Sequence, residues 1–253
     1  SLSFEGLKTS QVINMKNIFA KCSSLISLDL SKFDTSKVTN MASMFKDCSS
    51  LLYLNISLFD TTNVITMENM FSGCTLLPHI NISNFRTSKV LNMGNMFLQC
   101  FSIKTIDLYS FDTSNVINME SMFENCTSLT LINISNIDTS KVTNMNSMFR
   151  GCSSISYIPI EIFNTSNVEN IEYMFKGCSS LIELNLINFS TNKLRNMKGL
   201  FSECSSLISI DISSFDVSRV TNMNSIFSDC RKLNSLNLDY LKTINVVDMN
   251  SMF

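Results

Sequence analysis

Chemistry in this chain would have to come from nine cysteines, one histidine and a scatter of carboxylates. The thiols are Cys22, Cys48, Cys74, Cys100, Cys126, Cys152, Cys178, Cys204 and Cys230. A thiolate can attack a carbonyl or hold zinc, but the first task needs a positioned base and the second four converging ligands. His79 is the single imidazole, and no C-x-x-C pair is present to start a metal site. Disulfides are another use of thiols, although an odd number leaves at least one over. A hydrolase built on paired carboxylates would draw on residues such as Asp29, Asp107 and Asp211. No phosphate-binding glycine loop, H-E-x-x-H or G-x-S-x-G run occurs.

Spacing decides how these residues are read. Every interval between successive cysteines is 26 residues. In that register ten phenylalanines form one unbroken column, Phe19 to Phe253, and all sixteen methionines fall in two columns three residues apart. The consensus is C-S-S-L-x-x-L-x-L-S-x-F-D-T-S-x-V-T-N-M-x-S-M-F-x-x. Asp29, Asp107 and Asp211 share a column with Asn55, Asn81, Asn133, Asn185 and Asn237. A catalytic residue occurs once, so a repeated one serves stacking or solubility. The expectation is a non-enzymatic chain without cofactor or metal, its cysteines forming an inward ladder of small apolar side chains.

The elements that carry these columns follow from period. Leu28 and Leu30 alternate with polar residues, the pattern of a strand with one buried face. Met41, Met44 and Phe45 lie at i, i+3 and i+4, which predicts a short helix with Asn40 as its N-cap. Gly73, Gly151 and Gly177 follow that stripe where a left-handed residue ends a helix, with Asp47 and Asn125 in the same slot. Phe33-Asp34-Thr35-Ser36 reads as a turn. The fold expected is an α/β repeat solenoid of about ten registers over residues 1–253, a single domain. A parallel sheet lines the concave side and short helices the convex side. Strands stacked about 4.8 Å apart would extend over roughly 50 Å.

The Asp/Asn column is read as the middle of each strand, facing the concave surface. Its neighbours vary from coil to coil, and solenoids bind partners there. The candidate binding residues are Asp29, Tyr53, Asn55, His79, Asn81, Lys104, Asp107, Asn133, Tyr157, Glu183, Asn185 and Asp211. The alternative for this face is plain solvation. Lysines alternate with asparagines along Lys37, Asn63, Lys89, Asn115 and Lys141. That spacing relieves like-charge repulsion, being about 10 Å rather than about 5 Å, or it records duplication of a double repeat. The threonine column, Thr35 and its equivalents, is assigned to hydrogen bonding within its own turn.

The run L-x-x-L-x-L-S-x-F-D-T-S-x-V-T-N-M-x-x-M-F-x-x-C resembles the BspA-like variety of leucine-rich repeat. That variety is found in bacterial surface lipoproteins, mycoplasma-type repeat proteins and surface antigens of parasitic protists. The resemblance covers the whole chain and implies a right-handed arc, display at the cell surface or secretion, and adhesion or host contact without an active site. A protein or glycan ligand on the concave or edge surface is the expected partner, with a structural spacer as the alternative role. A net charge of −2 offers no field for nucleic acid, and no apolar run is long enough to span a bilayer. No basic n-region or lipidation cysteine opens the chain at Ser1-Leu2-Ser3-Phe4-Glu5. The last stripe ends at Phe253 without a polar cap, which predicts a fragment of a longer repeat protein and a tendency to end-to-end self-association.

Overall fold

Identical residues spaced 26 apart can stack only if each turn of the chain superposes on the next, and that is the arrangement observed. The computed structural model describes residues 2, 4, 6–239 and 241–253. Ser1, Ser3 and Glu5, on which part of the start of the chain was read, and Tyr240 lie outside the described residues. Coils are numbered here by their cysteines, Cys22 in the first and Cys230 in the ninth.

Six short strands occur among the described residues: β1 (Ser27–Asp29), β2 (Tyr53–Asn55), β3 (Thr105–Asp107), β4 (Leu131–Asn133), β5 (Ser209–Asp211) and β6 (Ser235–Asn237). They pair in parallel as β1 with β2, β3 with β4 and β5 with β6, each in register with the residue 26 further on. The middle residue points inward, Leu28 and Ile106 being buried, and the flanking residues point out. The Asp/Asn column is therefore the third residue of each strand and not the middle one. It still faces outward, because strand side chains alternate.

The expected sheet is broken into three pairs. Pro78 holds the position whose equivalent, Leu52, donates its amide to the Ile26 carbonyl at 2.8 Å. Proline has no such hydrogen and stops the ladder in the third coil. Pro159 occupies the Asp/Asn column of the sixth coil, where a 3-10 turn, Ile160–Ile162, replaces the strand exit.

The short helices are not there. The described residues contain no α-helix; the Met-Phe segment is a ladder of turns. Amides of Met41, Ser43, Phe45 and Asp47 donate across to carbonyls of Thr66, Glu68, Met70 and Ser72 in the next coil, at 3.2, 2.8, 2.9 and 2.7 Å. Amides of Met44, Lys46 and Cys48 donate back to Met41, Ser43 and Phe45, at 3.2, 3.2 and 3.1 Å. Ser43 and Asp47 have φ of 56° and 60°, left-handed values that interrupt helical dihedrals every fourth residue. One or two isolated helical turns would leave their first amides orphaned, whereas the stacked coil supplies an acceptor for each. Asn40 does accept the Ala42 amide on Oδ1 at 2.9 Å, but it caps a turn. Its column forms a continuous bridge ladder from Asn14 to Asp248, which no proline interrupts.

Side chains reinforce the stack. Rings from Phe19 to Phe253 lie face to face with centroids 5.3–6.0 Å apart and planes within 1–19° of parallel. The threonines from Thr9 to Thr191 are buried and bond between coils, not within their own turn. Thr113 donates Oγ1–H to the Asp138 carbonyl at 2.8 Å and accepts the Asp138 amide at 2.8 Å. Replacing it with valine orphans both backbone groups. Thr113→Val is expected to cost about 2–4 kcal/mol in urea unfolding, since each orphan costs about 1–3 kcal/mol. A loss under about 1 kcal/mol would return the column to a purely local role.

Candidate binding face

With apolar side chains turned inward, the outer strand face is left to the two columns flanking each buried centre. In the first two pairs this face is self-satisfied. Asn55 Nδ2 donates to Asp29 Oδ1 at 3.0 Å, and Asn133 Nδ2 donates to Asp107 Oδ1 at 2.9 Å. Each of these oxygens also caps its own turn, as Asp29 Oδ1 does for the Ser31 amide at 2.9 Å. Tyr53 stands half-exposed on β2. His79 and Asn81 are exposed in the third coil, which carries no strand because of Pro78. Lys104 is exposed but lies one residue before β3, in the column of Pro78 and not that of Tyr53. Asp29 lines a hollow of about 600 Å³ at the start of the stack with Ser31, Lys32 and the apolar Leu2, Phe4 and Leu7, away from every other candidate. No two of these residues share a cavity with each other, among the described residues.

Four of the candidates do. Tyr157, Glu183, Asn185 and Asp211, with Ser209, surround a cleft of about 400 Å³ over the sixth to eighth coils. A second cleft of about 320 Å³ shares Leu184, Asn185 and Asp211 with the first and runs on to Ile187 and Ser213. Pro159 lies in the Asp/Asn column of the sixth coil beside this region. Asn55 and Asn133 donate to the Asp one coil back, whereas the residue one coil back from Asn185 is Pro159, which has no side-chain acceptor. Asn185 Oδ1 caps the Ile187 amide at 3.2 Å, leaving its Nδ2 for the cleft. Asp211 Oδ1 caps the Ser213 amide at 2.9 Å, and bonds from Ser213 hold its carboxyl below the usual carboxylate range. The Tyr157 hydroxyl donates to Glu161 Oε1 at 3.0 Å, which pushes the phenol up and keeps it protonated. Glu161 Oε2 is buried without a partner.

The thiols are elsewhere. Cys48 through Cys204 are buried and unpaired, each donating S–H to a phenylalanine carbonyl, as Cys48 does to Phe19 at 3.1 Å. Burial pushes Cys48 up to about 11 and Cys100 and Cys152 up to about 12, the reverse of what a nucleophile needs. Among the described residues no group of three or more His, Cys, Asp and Glu converges as metal ligands would.

Sequence reasoning missed two sets. Ser209, Leu184 and Ile187 join the clefts, and the signal was the lone proline in the Asp/Asn column. On the turn ladder, Tyr173 adopts φ 56° with Arg150, Lys176 and Lys198 at 5.4, 5.7 and 5.8 Å from its ring centre. Gly199 sits opposite in the next coil, where a Cβ would fall 2.5 Å from Tyr173 Cδ1. Here the signal was a paired departure from an Asn/Ser column. Glu203 and Glu124 pair with Lys176 and Arg150 at 3.1 and 3.6 Å, so two of the three cations are neutralised within the cluster.

The family described as "Mycoplasma protein of unknown function, DUF285" matches residues 2–107, 50–157, 92–207 and 182–253, which overlap to span the described chain. The chain belongs to that family. It is the mycoplasma-type, BspA-like repeat that the residue columns resemble. No curated protein matches the chain. Among solved structures, a leucine rich cell surface protein from Faecalibacterium prausnitzii A2-165 is 18% identical, covering 94% of this chain and 86% of that one with a TM-score of 0.39. A leucine-rich repeat protein from Bacteroides ovatus ATCC 8483 is 19% identical over 94% of this chain and 78% of that one, with a TM-score of 0.25. With scores this low, the solenoid description rests on the chain's own hydrogen-bond ladders. In this DUF285 chain the repeat supplies the frame, and the two clefts lie where the chain departs from its own repeat. No helix among the described residues is long and apolar enough to cross a membrane.

Proposed function

We propose that this repeat module is a non-catalytic binding element, displayed at a cell surface or secreted, whose partner seats on the strand face over the sixth to eighth coils. The observation that carries this is the convergence of Tyr157, Glu183, Asn185 and Asp211 at the place where Pro159 opens the Asp/Asn ladder. Half-exposed aromatic rings and polar atoms with spare hydrogen-bonding capacity are what a recognition surface needs. The first two pairs, by contrast, spend those atoms on each other. Surface display is supported by the repeat's resemblance to surface lipoproteins and antigens.

A spacer is the second reading, favoured by the unbroken bridge ladder and ring stack, which make a stiff rod. Binding of labelled chain to immobilised extracellular proteins and glycans separates the two. Saturable binding is expected, weakened at least about tenfold by combining Tyr157→Ala with Asp211→Ala, and unchanged by Lys193→Ala on the turn. Binding that is absent, or indifferent to the paired substitutions, sinks the module reading and favours the spacer.

A further inference from the structure

Resting on that strand-face reading, we propose that the two joined clefts bind a neutral oligosaccharide, one sugar unit on each side of the wall formed by Asn185 and Asp211. Sugar rings present two chemistries at once, hydroxyls that need charged or planar acceptors and donors at their edges, and an apolar C–H face that packs on an aromatic ring. The clefts carry both. The Tyr157 ring is 46% exposed, and its hydroxyl is already committed to Glu161, so what it offers a ligand is its face. Asn185 Nδ2 lacks the acceptor that Asn55 and Asn133 find one coil back. Asp211 keeps one carboxylate oxygen beyond the one that caps Ser213. Both residues line both clefts, so each can reach ligand groups in either.

Size and charge narrow the ligand further. Volumes of about 400 and about 320 Å³ sit at the small end of ligand sites, roughly 300–1,000 Å³. A protein partner needs about 800 Å² of matched surface on each side, usually anchored by aromatic or arginine side chains in closed pockets. The lining contains Glu183 and Asp211 and no basic side chain, so sialylated or sulfated sugars meet like charge. Ile187, 74% exposed at the far end, provides a second apolar contact for the distal unit.

Saturation-transfer NMR on the whole chain, with millimolar lactose, maltose, cellobiose and chitobiose and with sialyllactose as the charged comparison, tests this. Transfer to ring protons of at least one neutral disaccharide is expected, and more weakly or not at all to sialyllactose. Tyr157→Ala should weaken it at least about tenfold. Pro159→Asp, which gives Asn185 the acceptor that Asp29 and Asp107 give Asn55 and Asn133 and leaves every core residue in place, should weaken it similarly. Silence from all four neutral sugars overturns the proposal, as does transfer indifferent to both variants or stronger to sialyllactose. If an extracellular protein is bound and released by the same variants while no sugar is, the oligosaccharide proposal fails and the binding-face reading stands.

Discussion

Raising the pH from about 8 to about 10 is expected to remove most of this chain's stability, through thiols that take no part in any reaction. Seven cysteines are buried. Burial holds their folded pKa values above the ordinary thiol value near 9, to about 11 at Cys48 and about 12 at Cys100 and Cys152. A group whose pKa is raised on folding contributes stability that is complete below its unfolded pKa. That contribution drains away as pH climbs towards the folded value. One pH unit above the unfolded pKa costs about 1.4 kcal/mol per thiol. Seven such thiols lose about 10 kcal/mol at about pH 10, comparable with the whole stability of a domain, about 5–15 kcal/mol. Urea midpoints followed by circular dichroism across this range check it, and a midpoint that holds to about pH 10 contradicts it. Replacing Cys126 and Cys152 with alanine should lower stability near neutrality yet flatten the alkaline slope by two thiols' worth.

Removing one ring from the middle of the phenylalanine stack should be nearly as damaging and more local. Phe149 is fully buried between Phe123 and Phe175, with ring centres 5.3 and 6.0 Å away. Phe149→Ala opens a cavity worth about 3–5 kcal/mol, and the lost stacking brings the expected cost to about 4–6 kcal/mol. In a solenoid each coil contacts only its neighbours, so the loss falls on the turn of Phe149 and on those of Phe123 and Phe175 beside it. Hydrogen exchange should then show protection lost first in the segments around Phe123, Phe149 and Phe175 and the single unfolding transition split in two. Phe149→Leu, which keeps most of the volume, should cost about 1.5 kcal/mol or less. If alanine costs no more than leucine, the rings fill space without stacking.

Much of the frame was legible because repetition is a statement about contacts. A residue type that recurs every 26 positions must meet its own copy, and Phe45 beside Phe71, or Cys74 between Cys48 and Cys100, needed no further information. The inward direction of the leucine, methionine and phenylalanine columns followed from hydrophobic burial alone. The turn at Asp34 was readable too, its Oδ1 accepting both the Ser36 amide and hydroxyl. The lysine–asparagine alternation was legible as a pattern, but its cause was not. Asn115 Nδ2 donates to the Ser88 carbonyl and its Oδ1 accepts the Lys141 ammonium at 2.7 Å, so each asparagine cross-links two coils.

Helices were expected because Met41, Met44 and Phe45 have the spacing of one helical face, and a turn that places the same three residues inward has that spacing as well. The left-handed slot at Asp47 was readable from the glycines in its column, but only the stacked neighbour, offering a carbonyl to every second amide, tips the balance towards a second left-handed residue at Ser43. The candidate site divides in the same way. Sequence alone determined which columns vary and face outward, since alternation along a strand is a local property of the backbone. Which of the twelve residues meet was decided by tertiary structure. Pro159 breaks a bond that exists only between coils, and the gap it leaves brings Tyr157, Glu183, Asn185 and Asp211 around one cleft.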